Sequence, residues 1–436
     1  MAERRHRSLK TDLTRFYDRL TADSLRRNST ILVVSQAVNA GVAFLFWIIC
    51  ARLFSAHDVG LAASFISYGV LVATFTNLGL PNTILRFLPT SSRRGRLFTG
   101  ALTLVVCASI AGATLALLLV GRVVPRLEFV AGSPLLATLL FMLVAGIAVS
   151  AYLDGTLMAF RKGQYILGKA IIISLPRLLL PFLLLPLATA GILITYVVVF
   201  CFGIAYNVYV VIVRLLPGES LAPSMSEVLR HRAFAAGNYL GGVFGVLPST
   251  LVPLIVLSKL GAVAAAYFYM PMQIAAFLSI IAASTSQAMI SETSQQSDGR
   301  YDVAHFQNAI RHLYGMLVPA IGLAIVLGWP VLYIYGPLYA RHGYACLVIL
   351  SVASLLVALN WLGDAWLNVK RRVLAYFAMN AVNAVCVVGC VLLSAGHGLT
   401  TAAAGWLVGQ AISAVIYVSV FARSHLFART SRVGSG

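Results

Sequence analysis

Twelve long runs of apolar residues, separated by short polar stretches, organise this chain. In the first half they fall at Ile31–Ala51, Val59–Leu80, Leu97–Val120, Pro134–Leu157, Tyr165–Leu187 and Gly191–Val213. The second half repeats the layout at Phe234–Leu257, Ala262–Ala283, Ile310–Tyr335, Tyr344–Trp366, Val373–Ser394 and Thr401–Val420. Each run is close to the roughly 20 residues that carry a helix across a hydrocarbon core. Strands of a membrane barrel would alternate apolar and polar residues at every second position, and these runs do not. The pattern predicts an all-α polytopic membrane protein with twelve transmembrane helices. Composition agrees: 60% of the 436 residues are hydrophobic and 10% are charged, a balance that a soluble globule of this size cannot bury.

Charge adds orientation. Of the 32 Lys and Arg residues, 25 lie in the N-terminal leader, in the connections after even-numbered runs, or in the C-terminal tail. The opposite connections hold Arg52, Arg122, Arg126, Lys259 and Arg341, while Lys169 and Arg177 fall inside runs. The positive-inside rule then places both termini in the cytoplasm, in keeping with an even number of spans. The net charge of +19 is explained by anionic inner-leaflet lipids, each basic residue near the surface contributing about 1 kcal/mol. It calls for no nucleic acid. The basic leader, residues 1–28, places Leu9, Leu13, Phe16 and Leu20 on one stripe of a helix, which predicts an amphipathic segment lying on the inner leaflet. No cleavable signal peptide is visible, and the first run reads as a signal anchor.

Candidate chemistry is sparse. The six cysteines fall in or at the ends of apolar runs and read as small core residues. No histidine cluster has metal-ligand spacing, and no phosphate-cradling glycine loop, HExxH motif or nucleophile elbow is present. The expectation is a non-enzyme with no catalytic residues, no metal site and no cofactor.

The connection 215–233 divides the chain into an N-terminal lobe, 29–214, and a C-terminal lobe, 234–422, followed by a basic tail, 423–436. It contains Pro217-Gly218 and a capping-box pattern from Ser224 to Glu227 that predicts a short helix ahead of the seventh run. The halves echo each other. Asp154 lies seven residues before Arg161-Lys162, and Asp364 seven before Arg371-Arg372. Six runs per half make the repeats parallel, with a substrate path expected between them.

Charges inside the apolar runs are few, and such groups usually face a cavity or a partner. Arg177 is the sharpest case. It sits about 18 Å of helix rise from Tyr165, among Pro176, Pro181 and Pro186, three prolines expected to kink the helix and free carbonyls. Its planar fork suits a phosphate; the competing reading is that it satisfies those carbonyls or pairs with a neighbouring Asp. Asp154 and Asp364 are candidates for ion coupling or for structural pairing with the basic residues that follow them. Arg86, closing the second run, can meet an anionic headgroup or snorkel. Asn39, Asn238 and Gln273 are candidates for a wet cavity that takes a sugar, or for glue between helices.

From Ala51 to Ser64 (Ala-Arg-Leu-Phe-Ser-Ala-His-Asp-Val-Gly-Leu-Ala-Ala-Ser), then Asn77-Leu-Gly-Leu-Pro-Asn82 and Arg86, the chain resembles the polysaccharide-transport (Wzx-type) flippases. These belong to the multidrug/oligosaccharidyl-lipid/polysaccharide superfamily. Val331 to Tyr339 (Val-Leu-Tyr-Ile-Tyr-Gly-Pro-Leu-Tyr) is similar to a stretch after the ninth span of that family. The resemblance implies a two-lobe, alternating-access transporter in a bacterial cytoplasmic membrane. It would flip an undecaprenyl-type lipid-linked oligosaccharide outward and work beside a polysaccharide polymerase and glycosyltransferases. The superfamily also contains cation-coupled multidrug antiporters, but those keep acids in spans 1, 7 or 8, and here the first and seventh runs hold none. A non-transporting scaffold for a glycan synthesis complex is the third reading.

The charge asymmetry makes a direct prediction. Reporter fusions after Arg94, Gly218 and Arg432 will report cytoplasm, and fusions near Glu128 or Arg341 the outside; a reversed result at either outer loop refutes the twelve-span topology.

Overall fold

In the computed structural model, residues 24–295, 303–369 and 372–433 are described. They form α1 (Ser24–Leu53), α2 (Ala56–Thr76), α3 (Arg94–Val123), α4 (Pro134–Ala159), α5 (Gly163–Leu183) and α6 (Ala188–Tyr209). The second half contributes α7 (Arg232–Leu260), α8 (Ala262–Gln295), α9 (Val303–Tyr335), α10 (Pro337–Val369), α11 (Val373–Ser394) and α12 (Leu399–Val433). Among the described residues, 12 helices are long and apolar enough to cross a membrane. The amphipathic leader lies outside them up to residue 23, as does Arg371. The face where α1 begins and α12 ends is called the near face below, and the opposite one the far face.

Local chemistry sets the helix ends. Ser55 caps α2 by accepting the Asp58 N–H, and Ser133 caps α4 ahead of Pro134. Gly79, at φ 69°, turns the chain from α2 into a short helix, Leu80–Phe87. Two of the three prolines expected to kink α5, Pro176 and Pro181, lie within it. The third, Pro186, falls in a 3₁₀ turn at Leu185–Leu187, so the helix stops short of the predicted end at Leu187. The linker helix forms at Met225–Leu229, but the capping box does not. The Ser224 N–H donates instead to the Arg96 carbonyl (3.3 Å). Glu227 accepts from Arg93 (3.3 Å) and Arg230 (3.2 Å). Two guanidinium donors offer the carboxylate more than one neutral amide does.

Helix packing shows the repeat. In the first lobe α1 packs on α5, α2 on α4, α3 on α4, α4 on α6 and α5 on α6. In the second, α7 packs on α11, α8 on α10, α9 on α10, α10 on α12 and α11 on α12. The same neighbours recur six helices later, as a parallel repeat requires. The lobes meet where α2 lies against α7 and α8, and α1 against α9. Accordingly, 72% of the most apolar stretch of α2 is buried, against 17% for α1 and 22% for α5, which makes α2 the most buried of the described spans.

The seam is closed differently at its two faces. At the far face a Cβ on Gly60 would collide with the Ala262 carbonyl oxygen, so α2 and α8 touch backbone to backbone. There Arg52 donates to the carbonyls of Ile334 (2.6 Å) and Tyr333 (2.9 Å), the last turn of α9. Arg126 donates to the Ser258 carbonyl (3.1 Å) near the end of α7. Both cations sit where a helix C-terminus leaves carbonyls unpaired. At the near face the Tyr239 hydroxyl donates to the Phe75 carbonyl (2.8 Å), and Phe87 stacks on His231.

Gly60→Ala is therefore expected to push α2 off α8 and lower the midpoint of thermal unfolding in detergent by an amount matching about 1–3 kcal/mol. Gly41→Ala, where a Cβ meets nothing within 4 Å, serves as the control and should leave the midpoint unchanged or slightly raised, since alanine is the better helix former.

Candidate functional site

The first lobe encloses a cavity of about 370 Å³ walled by α1, α4, α5 and α6. Gln36 and Asn39 face it from α1, Asp154 from α4, Lys169 and Arg177 from α5, and Tyr196 from α6. Thus Asn39, Asp154 and Arg177, spread over 139 residues of sequence, come together in one site.

Arg177 is half-buried and held by neutral groups. One terminal nitrogen donates to Asn39 Oδ1 (3.4 Å), the other to the Tyr196 hydroxyl (3.2 Å). Its guanidinium carbon lies 5.4 Å from the Phe46 ring centre and 5.2 Å from that of Tyr196, within cation–π range. Among the described residues no carboxylate lies within ion-pair distance of it, and it bonds side chains rather than the carbonyls freed by the α5 prolines.

Asp154 takes a different partner from the one its sequence neighbours suggest. Lys169 Nζ lies 2.8 and 2.7 Å from its two oxygens, and Asn207 donates to Oδ1 at 3.0 Å. Lys169 also donates to the Ser150 hydroxyl (2.8 Å). The turn between α4 and α5 falls at Arg161 and Lys162, where Arg161 adopts φ 54°. Asp154 stands seven residues before that pair and Lys169 seven after it, so the antiparallel helices bring them to one depth. That equal spacing about the turn is the sequence feature that would have revealed the pair.

Asp364 occupies the equivalent place in the second lobe. Its Oδ1 accepts from Asn380 (3.0 Å) on α11 and from the Tyr417 hydroxyl (2.9 Å) on α12. Asp154 and Asn207 are 53 residues apart, as are Asp364 and Tyr417, so the acid and its last-helix donor are repeated in register. Nearby, Asn360 donates to Asn383 (3.2 Å) and Gln410 (2.7 Å), a polar cluster joining α10, α11 and α12.

The other candidates lie elsewhere. Gln273 donates to the Tyr269 hydroxyl (3.1 Å) and faces a separate groove of about 190 Å³ between α1, α8 and α9, beside Ala40, Phe44 and Phe277. Trp47 lines this groove and packs on both Tyr196 and Tyr269, so it divides groove from cavity. Arg86 is exposed at the near face over the rings of Phe87 and Phe234. Asn238 lies in α7, and its side chain is outside the described residues. Sequence reasoning undervalued Lys169 and passed over Tyr196 and Asn207, which hold the charged groups of the cavity. Among the described residues no group of three or more His, Cys, Asp or Glu side chains could hold a metal ion.

The fold and this polar cavity define a membrane protein of the multidrug/oligosaccharidyl-lipid/polysaccharide (MOP) fold. The profile of the polysaccharide biosynthesis protein family matches residues 25–291, and the chain belongs to that family. No curated protein matches the sequence. Solved structures share the fold across nearly their whole length. An inward-facing multidrug resistance MATE family transporter of the MOP superfamily aligns with a TM-score of 0.69 at 13% identity, covering 92% of this chain and 99% of that one. The lipid II flippase MurJ, in an inward closed conformation, gives 0.69 at 13% identity, covering 90% and 87%. A MOP superfamily transporter from Pyrococcus furiosus gives 0.61 at 11% identity, covering 93% and 96%.

The Asp154–Lys169 contact can be weighed by a double-mutant cycle. Lys169→Met alone should cost about 2 kcal/mol of stability, less than for a fully buried pair, because Asp154 is 29% exposed. Adding Asp154→Asn should recover most of that loss in thermal unfolding, whereas additive losses would mean the two groups do not interact.

Proposed function

We propose that this protein moves a lipid-linked oligosaccharide, carried on an undecaprenyl-type diphosphate, from the inner to the outer leaflet of a bacterial cytoplasmic membrane. The two lobes would alternate access about the α2 seam, with both termini in the cytoplasm. One observation carries the reading: the cavity holds an arginine with no carboxylate in reach among the described residues, beside a charge-balanced Asp154–Lys169 pair, so the net charge of its described lining is positive. A half-buried, uncompensated guanidinium is costly in hydrocarbon, and an anion relieves that cost. The flippase reading also agrees with membership of a polysaccharide biosynthesis family and with the fold shared with MurJ. In an inside-negative cell, outward movement of each phosphate charge is downhill by about 2.3 kcal/mol per 100 mV, so the cycle needs no obligatory ion gradient. Asn39 and Tyr196 would orient the phosphate end. Gln273 and Asn238 would contact sugar or carrier as the lobes open, and Arg86 would meet the headgroup at the near face. Anionic inner-leaflet lipids, a polysaccharide polymerase and glycosyltransferases are the partners this function implies.

A cation-coupled drug antiporter is the second reading. Its support is the MATE transporter fold together with membrane-embedded Asp154 and Asp364. Against it, Asp154 is already neutralised by Lys169.

A deletion strain should accumulate a lipid-linked saccharide on the cytoplasmic leaflet; accumulation of no such intermediate, with sensitivity to cationic drugs instead, would favour the antiporter. In complementation, Arg177→Lys should keep part of the export per inserted molecule and Arg177→Ala almost none, because lysine retains the charge but not the planar fork. Wild-type export by Arg177→Ala would remove the main support for the anionic substrate.

A further inference from the structure

The second cation of the cavity has a role that its present partner hides. Lys169 and Arg177 stand eight residues apart on α5, about 12 Å of helix rise, and both face the same space. Side chains lean toward the start of their helix, so Arg177 is directed back toward Lys169. The lysine stem has room: a Cβ on Gly203 would sit 3.3 Å from Lys169 Cε, so the missing side chain on α6 provides its berth. Lysine is also a flexible point charge on a four-carbon stem, able to exchange one oxygen partner for another.

Asp154 is prepared for that exchange. Asn207 donates to it independently of the lysine. Ser150, one helical turn earlier on α4, now receives a bond from Lys169, and its hydroxyl can rotate to donate to Asp154 once the lysine leaves. The ion pair is not sealed in the protein either, since Asp154 is 29% exposed on its side chain. Charge supplies the motive. A diphosphate carries more negative charge than a monophosphate ester and spreads it over two phosphoryl groups, so it gains more from a second cation beside Arg177.

Resting on the lipid-linked-anion reading above, we propose that Lys169 is a specificity-determining residue held in reserve by Asp154. Entry of a diphosphate draws Lys169 off the carboxylate, so that Arg177 and Lys169 clasp the two phosphoryl groups while Asn207 and Ser150 retain Asp154. A monophosphate leaves the ion pair closed. The pair thereby makes the cavity distinguish diphosphate carriers from monophosphate ones.

The test compares binding of farnesyl diphosphate and farnesyl monophosphate to the purified full-length protein by titration calorimetry. Wild type should prefer the diphosphate. Lys169→Met should weaken diphosphate binding by about tenfold, the worth of one charge-assisted contact, and leave monophosphate binding unchanged. Lys169→Arg should keep the preference. Asp154→Asn, which frees the lysine, should tighten diphosphate binding by about fivefold. If Lys169→Met accumulates poorly, the Lys169→Met/Asp154→Asn double variant replaces it and should bind both ligands alike. Equal losses for the two ligands in Lys169→Met, no loss for either, or weaker diphosphate binding in Asp154→Asn would overturn the proposal and make the pair a structural clamp. Failure of the wild type to bind either prenyl phosphate would instead overturn the lipid-linked-anion reading itself, and the proposal with it.

Discussion

Hydrocarbon contains no water to satisfy a stray donor or acceptor, and this structure is arranged around that constraint. Its helices close their own backbone bonds, and several buried hydroxyls find carbonyls inside the protein, although those of Ser64, Tyr339, Ser351 and Ser413 do not. Tyr152 donates to Phe98 (2.7 Å), Tyr68 to Ala116 (2.8 Å), and Ser67 and Thr195 to the preceding turns of their own helices. Charges obey the same rule at higher stakes. Lys169 and Asp154 neutralise each other, Glu227 takes two arginines, and Arg52 and Arg126 end on helix C-termini of the opposite lobe. Against that background, Arg177 stands out because aromatic faces and two neutral oxygens hold it.

The seam between the lobes follows from residue size and helix polarity. Gly60 lets α2 reach the α8 backbone, and Gly79 lets the end of α2 reach the Ala235 carbonyl of α7. Dispersion between closely packed backbones replaces the hydrophobic effect, which is absent between helices in lipid. The arginines at the far face belong to the sparsely charged side of the molecule. They remain there because carbonyls at the ends of α7 and α9 receive them. Such contacts are discrete, each made by one side chain on named carbonyls.

Asp154 and Asp364 occupy equivalent places in the two lobes, each accepting from a donor 53 residues later, Asn207 in the first and Tyr417 in the second. The lobes have diverged around that shared pair. Around the first acid stand Lys169 and, two turns further along α5, Arg177, while near the second lies the Asn360, Asn383 and Gln410 cluster. The cavity with Lys169 and Arg177 is walled by helices of the first lobe, and α1 serves as a shared wall. Asn39 faces the cavity, while Ala40 and Phe44 face the groove toward α8.

Hydrophobic run length, proline and glycine placement and charge asymmetry by themselves determined the number of helices, the two-fold repeat and the turns between spans. These are properties of single segments measured against one membrane thickness, so they need no knowledge of neighbours. Arg177 was legible as the outstanding embedded charge for the same reason. Its surroundings were not, because Asn39, Phe46 and Tyr196 reach it only through the packing of α1 and α6 on α5. Asp154 shows the boundary well: nearness in sequence pointed to Arg161 and Lys162, but those residues form the turn, and the antiparallel return of α5 delivers Lys169 instead. Tertiary structure likewise separated Gln273 from the cavity by interposing Trp47. Helix register and interhelical packing decide which polar residues share a cavity, and both arise from many weak contacts between distant segments that no local pattern encodes.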